Sequence, residues 1–172
     1  AGRRINGDGA CGAVRAGATL QKQPVDVIFV IDNSGSMAAE ITSVQNNINK
    51  NFATIIKNSG IDYRLIMISG HGLVNPDESI CITAPLSGNQ TCSTAAPITP
   101  AQPQNTANFF HYSNQISSYD SLNKIIATYD TPDEFNLAPT GWKTRLRAGA
   151  FKTFIEITDD DATDYTGASP QV

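Results

Sequence analysis

The sequence between Val25 and Met37 reads Val-Asp-Val-Ile-Phe-Val-Ile-Asp-Asn-Ser-Gly-Ser-Met, and this stretch decides the fold. Its apolar residues follow one another almost without polar alternation, which is typical of a parallel strand buried on both faces. The strand then runs directly into an acid, two serines and a glycine. In open α/β sheets the carboxyl ends of the strands form the ligand-binding edge. We therefore expect a buried strand over residues 25–31 with a binding loop at its end.

Hard oxygen donors dominate this loop. Asp32 offers a carboxylate, and Ser34 and Ser36 offer hydroxyls at alternate positions. Gly35 allows the backbone to bend closely around a small ligand. Oxygen donors of this kind suit Mg²⁺ first, with Mn²⁺ or Ca²⁺ as alternatives. The simpler interpretation is a polar turn in which Ser36 caps the following helix, and the two roles are compatible.

Helices and strands alternate after the loop. Apolar residues at helical spacing predict a helix over residues 38–59, which Gly60 ends. A second strand is predicted over residues 63–68, and strand–helix–strand order implies a right-handed unit with parallel strands. The later elements that the same patterns predict are helices over residues 118–129 and 142–147 and a third major strand over residues 153–158.

Residues 71–110 interrupt this alternation, because Pro, Ser, Thr, Asn and Gln dominate them. We expect a long irregular insertion with a short edge strand over residues 80–82. A disulfide between Cys81 and Cys92 is preferred over two free thiols, since no Cys/His metal spacing accompanies them. The sequence has 3 cysteines, so this disulfide leaves Cys11 without a partner in the sequence. The alternatives for Cys11 are a free thiol, a disulfide between chains, or a disulfide with sequence outside this chain.

A second acidic cluster follows the last predicted strand, because Asp159, Asp160 and Asp161 come directly after Thr158. The carboxyl ends of parallel strands meet at one edge of a sheet. We therefore expect Asp32 and Asp159 to lie at the same rim although they are distant in sequence.

The two rim segments resemble one known family. Asp32-Asn33-Ser34-Gly35-Ser36 is similar to the Asp-x-Ser-x-Ser signature of the metal-ion-dependent adhesion site of von Willebrand factor type A domains. The strand that ends in Thr158-Asp159 resembles the family's late strand, which ends in Thr-Asp-Gly, although Asp160 stands here in place of the glycine. The resemblance covers residues 25–161. It implies a Rossmann-like α/β fold with a mostly parallel sheet and helices on both faces, truncated after the third major strand.

The resemblance also implies a ligand set. Asp32, Ser34, Ser36 and Asp159 match the family's metal-site positions, and Asp160 and Asp161 are possible additional ligands. The family takes a further hydroxyl from a threonine in a loop between these strands. Ser118 is the preferred candidate, with Ser117 and Ser121 as alternatives, and the competing interpretation is that Ser118 only caps a helix.

A protein-binding function follows from this resemblance. In the family, an Asp or Glu of a protein ligand completes the metal shell, which implies a secreted or cell-surface adhesion module and no enzymatic turnover. One alternative is a structural or assembly subunit in which the metal stabilises the rim. Another is a Mg²⁺-dependent hydrolase, although His71 and His111 lie in or beside the insertion, where structural or solvent-exposed roles are expected rather than catalytic ones.

Composition excludes other classes of function. The net charge is −4, which argues against nucleic-acid binding through a basic field. No apolar run approaches the roughly 20 residues that span a bilayer, and no signal-peptide pattern is present.

We expect a leader or edge strand over residues 1–20, one domain over 21–166 and a tail over 167–172. A bare sheet edge would favour self-association or completion by another polypeptide.

Overall fold

A computed structural model describes residues 22–72, 78–93 and 100–160. The leader or edge strand predicted over residues 1–20, Cys11, Asp161 and the tail over 167–172 lie outside the described residues.

The described part of the chain is organised around a parallel sheet with the strand order β3-β2-β1-β4. Strand β1 lies in the centre, with Val25 opposite Tyr63 of β2 on one side and opposite Phe151 of β4 on the other. All pairings are parallel, so the carboxyl ends of the strands meet at one edge. This confirms the predicted α/β class. The strands are β1 (Val25–Ile31), β2 (Tyr63–Ser69), β3 (Phe109–Ser113) and β4 (Phe151–Ile157).

Strand β3 corrects the sequence prediction, which assigned its first residues to the irregular insertion. Its sequence Phe-Phe-His-Tyr-Ser carries polar side chains that hide the strand pattern, yet every residue is buried. The short edge strand predicted over residues 80–82 is wrong. Ile80 and Ile82 are buried in the core without forming a strand, and the Ile80 N–H donates to the carbonyl of Gly70. The predicted disulfide between Cys81 and Cys92 is present, with the two Cα atoms 6.0 Å apart.

A long helical segment covers one face of the sheet. It comprises α1 (Ala38–Asn46), a π-helical stretch (Asn47–Phe52) and α2 (Ala53–Asn58), which agrees with the prediction over residues 38–59. Gly60 follows with a φ of +63°, a left-handed conformation that glycine adopts without steric cost. The buried residues that join this segment to the sheet are Val27, Phe29, Ile31, Ile41, Ile48 and Ala53.

The opposite face is covered by helix α3 (Ser121–Ala127), a 3₁₀ turn (Trp142–Arg145) and the loop between them. These two elements are shorter than the predicted helices over residues 118–129 and 142–147. Trp142 is buried, and its indole N–H donates to Thr128 Oγ1 over 3.1 Å. The core on this side contains Ile28, Val30, Ile66, Ile68, Tyr112, Ile116 and Trp142. No helix in the described ranges is long and apolar enough to cross a membrane.

An ion pair that the sequence does not predict lies on the face of the sheet that α3 and the 3₁₀ turn cover. Asp26 is fully buried in β1. Its Oδ1 accepts from Arg147 Nε and its Oδ2 from the Arg147 backbone N–H, each over 2.7 Å. Arg147 Nη1 also donates to Asp62 over 2.7 Å. Asp26 therefore anchors the segment between the 3₁₀ turn and β4.

Candidate metal centre

Three loops meet at the carboxyl edge of the sheet. The first follows β1 and carries Asp32, Ser34 and Ser36, the second lies between β3 and α3 and carries Ser118, and the third follows β4 and carries Asp159. The Asp32 N–H donates to the carbonyl of Ile157 over 2.9 Å, which ties the first loop to the end of β4. The parallel sheet thus brings residues from distant parts of the sequence to one rim.

The hydroxyls form a continuous chain across these loops. Ser34 Oγ lies 3.1 Å from Ser36 Oγ and 3.1 Å from Ser118 Oγ. Ser36 Oγ donates to Asp159 Oδ1 over 3.2 Å. Neighbouring ligands of an octahedral Mg²⁺ with bonds of about 2.0–2.1 Å would be about 2.9 Å apart. The separations of these oxygens are therefore close to those that Mg²⁺ requires.

Asp32 is held in a fixed orientation. It is 1% exposed, its Oδ1 accepts from the Ser34 N–H over 2.8 Å, and its Oδ2 accepts from Thr158 Oγ1 over 2.9 Å. A carboxylate has about four lone-pair sites, so these two bonds leave it able to bind a cation. Burial without a positive partner would be costly for this charge, which favours a cation beside it.

Three carboxylates crowd the rim. Asp32, Asp159 and Asp160 each place an oxygen within 4.8 Å of the others. In the described ranges none of them forms an ion pair with a lysine or arginine. Asp160 donates its N–H to Thr158 Oγ1 over 3.1 Å and accepts from the Tyr119 hydroxyl over 3.4 Å. A cation would relieve the mutual repulsion of these carboxylates.

Among the three serines considered for the further hydroxyl, only Ser118 reaches this cluster in the structure. Ser117 donates its backbone N–H to Asp120 Oδ1 over 2.8 Å, and Ser121 is buried with its hydroxyl directed to Glu156. Helix α3 begins at Ser121 and its N-cap residue is Asp120, so Ser118 lies two residues before the cap position. Ser36 makes no capping bond either, since no side-chain cap is formed at the start of α1. Asp161 lies outside the described residues.

Asn33 was missed by the sequence analysis, which treated it as a variable position in the motif. Its side chain is buried, and its Oδ1 accepts from the Gly70 N–H over 3.1 Å and the Ile116 N–H over 2.8 Å. A Cβ atom on Gly70 would lie 2.6 Å from Asn33 Nδ2. Asn33 therefore ties the first loop to the end of β2 and to the loop that carries Ser118. No signal in the sequence distinguishes this role from an ordinary turn residue.

Comparison of the chain with protein-family models, with curated proteins and with solved structures gives no match.

Proposed function

We propose that this domain is a protein-binding module that holds a divalent cation, Mg²⁺ by preference, and captures a carboxylate of a protein ligand. One observation carries the proposal: oxygens of Ser34, Ser36, Ser118 and Asp159, from three separate loops, form one chain of contacts of 3.1–3.2 Å. Such convergence is not needed to cap a helix or to solvate a turn.

The donor set suits a cation that still accepts an external ligand. Asp32 and Asp159 contribute negative charge, whereas Ser34, Ser36 and Ser118 contribute neutral oxygens. These residues do not fill all six positions of an octahedral shell. When bound, the cation supplies the positive charge that attracts a carboxylate of the partner. The exposure of Asp159 and Ser36 keeps this side of the rim accessible to a protein.

A location outside the cytosol is part of the proposal. The disulfide between Cys81 and Cys92 is of the kind that persists in oxidising compartments. We therefore expect the domain to be secreted or displayed at a cell surface and to act there as an adhesion module that binds other proteins.

Metal binding is tested by isothermal titration calorimetry with MgCl₂, MnCl₂ and CaCl₂, together with thermal melts in each salt and in EDTA. A cation that binds only the folded state raises the melting temperature. We expect this shift in the wild type and its loss in Asp159→Ala. Asp130→Ala is the matched control, because Asp130 is an exposed acid in the loop after α3. Absence of any metal-dependent shift in the wild type would overturn the proposal.

The role of the third loop has its own matched pair. Ser118→Ala removes the hydroxyl that contacts Ser34, whereas Ser117→Ala removes one that has no described contact with the metal centre. We expect the first variant to weaken Mg²⁺ binding about tenfold or more and the second to leave it unchanged. Equal effects would exclude Ser118 from the ligand set.

Carboxylate capture is tested with two immobilised peptides that differ by one Glu-to-Gln change. We expect retention on the Glu peptide in Mg²⁺, with loss in EDTA and on the Gln peptide. Metal binding without this preference would restrict the cation to a structural role.

A further inference from the structure

A small polar cavity lies at the amino ends of strands β2 and β3, at the opposite edge of the sheet from the metal centre. Its volume is about 260 Å³, which is below the roughly 300–1,000 Å³ that is typical of pockets for drug-sized ligands. No acidic residue of the described ranges lines the cavity. The residues that decide its chemistry are Arg64, Thr106, Phe110, Thr144 and Arg145. A small cavity with two arginines and no acid favours a small anion.

Arg145 places an unsatisfied donor at this cavity. Its guanidinium lies over the Phe110 ring, with the central carbon 4.0 Å from the ring centroid. The N–H groups of a guanidinium point outward in its plane, so a contact through its face leaves them available. Arg145 Nε is buried, yet the described part of the chain contains no hydrogen-bond partner for it. Because a buried donor without an acceptor is costly, this arrangement points to an acceptor that the described residues do not supply.

Arg64 presents a second guanidinium to the same cavity. Its Nη1 donates to the carbonyl of Arg145 over 2.7 Å, which fixes the side chain at the cavity wall. Within the described ranges neither arginine forms an ion pair. Asp26 lies opposite Arg64 in the register of β1 and β2, but its carboxylate is bonded to Arg147. As far as the described residues go, the two charges at the cavity are therefore not paired with a carboxylate.

The two threonines of the cavity do not offer their protons to a ligand. Thr106 Oγ1 donates to the carbonyl of Leu86 over 2.9 Å, and Thr144 Oγ1 donates to the carbonyl of Gly141 over 3.1 Å. A hydroxyl has a single proton, so the two guanidiniums are the donors that a ligand would meet. Hydrogen bonds from a guanidinium are strongest to the oxygens of an anion.

We propose that this cavity binds a tetrahedral oxyanion, phosphate or sulfate, between Arg64 and Arg145. A carboxylate offers two oxygens, which a single guanidinium fork can occupy alone. A tetrahedral oxyanion offers enough oxygens to accept from two forks at once. The anion is the free ion or the end group of a small ester. The inference is independent of the metal, because the two sites lie at opposite edges of the sheet.

Binding is tested by isothermal titration calorimetry of the full chain with sodium phosphate and with sodium sulfate. EDTA is present so that no divalent cation contributes, and sodium chloride keeps the ionic strength constant. We expect saturable binding of both anions, and binding of sodium acetate that is at least about tenfold weaker. Glycerol phosphate distinguishes the two sources of the anion. Binding like that of free phosphate assigns the site to esters as well, and weaker binding assigns it to the free ion.

Two substitutions remove the proposed donors. Arg145→Gln and Arg64→Gln should each weaken phosphate binding at least about tenfold. Arg145→Lys keeps the charge without the planar fork, so it should also weaken binding. Lys143→Gln is the matched control, because Lys143 lies in the same 3₁₀ turn, pairs with Asp130 over 3.7 Å and does not line the cavity. We expect this control to stay within about twofold of the wild type, and thermal melts in sodium chloride check that each variant is folded.

A nuclear magnetic resonance signal from the wild type locates the bound anion. The ¹H–¹⁵N signal of Arg145 Nε–H is assigned by its absence from the spectrum of Arg145→Lys. Phosphate should shift this signal with the same Kd that calorimetry gives. A wild type that does not bind phosphate, acetate that binds as tightly as phosphate, equal losses in Arg145→Gln and Lys143→Gln, or binding that leaves the Arg145 Nε–H signal unmoved would each overturn the inference.

Discussion

Thr158 donates a hydrogen bond from its Oγ1 to Asp32 Oδ2 over 2.9 Å, so the residue after β4 orients the carboxylate after β1. The same Oγ1 accepts the Asp160 N–H over 3.1 Å. One side chain therefore contacts two of the three aspartates at the rim, Asp32 through its carboxylate and Asp160 through its backbone, although it contributes no ligand itself in our proposal.

Replacing Thr158 by valine should weaken metal binding without removing a ligand. The change keeps the side-chain shape but leaves Asp32 Oδ2 without this donor, and loss of such a supporting bond typically lowers metal affinity about 10–100-fold. Thr158→Ser keeps the hydroxyl and should stay close to the wild type. Calorimetric titration with Mg²⁺ measures both variants. A Thr158→Val variant with wild-type affinity would mean that Asp32 is oriented by its other contacts.

Asn33 and Gly70 should depend on each other. Gly70→Ala would force a Cβ atom to within 2.6 Å of Asn33 Nδ2, so the loop must shift, at a cost of about 1–3 kcal/mol in unfolding free energy. Asn33→Ala should cost about 1–3 kcal/mol, because two buried backbone N–H groups lose their acceptor.

The double variant Asn33→Ala/Gly70→Ala should be less destabilised than the sum of the two single changes, since the clash disappears with the Asn33 side chain. Urea denaturation monitored by circular dichroism gives the three free energies. Strict additivity would contradict the direct contact between these two residues.

The elements that the sequence predicts well are those whose hydrophobic pattern is unambiguous. Strands β1 and β2 carry nearly continuous apolar runs, and the helical segment after β1 has apolar residues at helical spacing. Strand β3 was not predicted because His111 and Ser113 are buried polar residues whose side-chain partners lie far along the sequence. The His111 ring contacts the Ser69 carbonyl and the Ser113 hydroxyl donates to Glu134, residues that lie 42 and 21 positions away, and no local pattern indicates either contact.

The candidate site likewise contains some residues that the sequence predicts and others that it does not. Asp32, Ser34, Ser36 and Asp159 lie in motifs that follow strands, so their proximity could be predicted from the direction of a parallel sheet. The choice of Ser118 over Ser117 and Ser121 depends on the path of the loop after β3. The sequence does not distinguish between these three serines as the source of the further hydroxyl. The positioning roles of Asn33 and Thr158 arise only from contacts between loops, so they could not be read from either segment alone.

Arg147→Ala should be strongly destabilising. It removes the Nε–H that donates to Asp26 Oδ1 over 2.7 Å, so the fully buried carboxylate loses its guanidinium partner and keeps the bond from the backbone N–H of residue 147. Breaking one side of a buried ion pair typically costs about 3–5 kcal/mol. The double variant Asp26→Asn/Arg147→Met removes both charges and should recover part of the loss. Chemical denaturation measures each variant, and a loss below about 1 kcal/mol in Arg147→Ala would contradict a structural role for the pair.

The stability of the domain should fall in mild acid because of His111. Burial, with a further contribution from the charge of His71, lowers the pKa of His111 from 6.5 to about 3. The folded state therefore keeps this ring neutral between these two values, while the unfolded state takes up a proton. The stability that the neutral His111 ring contributes is present above pH 6.5 and falls as the pH decreases toward 3, by roughly 1 kcal/mol per pH unit from this group.

His111→Phe removes this proton uptake and provides the comparison. The carbonyl of Ser69, which lies 2.9 Å from His111 Nε2, still accepts the Asn114 N–H over 3.2 Å, so the variant leaves that acceptor satisfied. Urea denaturation at pH 7.0, 6.0, 5.0 and 4.0 gives the unfolding free energy of each protein. We expect the wild type to lose more stability than His111→Phe at each step below pH 6.5, because the variant lacks the His111 ring, which the unfolded state protonates more readily. Parallel pH profiles would show that His111 binds its proton equally well in both states, which its complete burial among carbonyl and aromatic partners argues against.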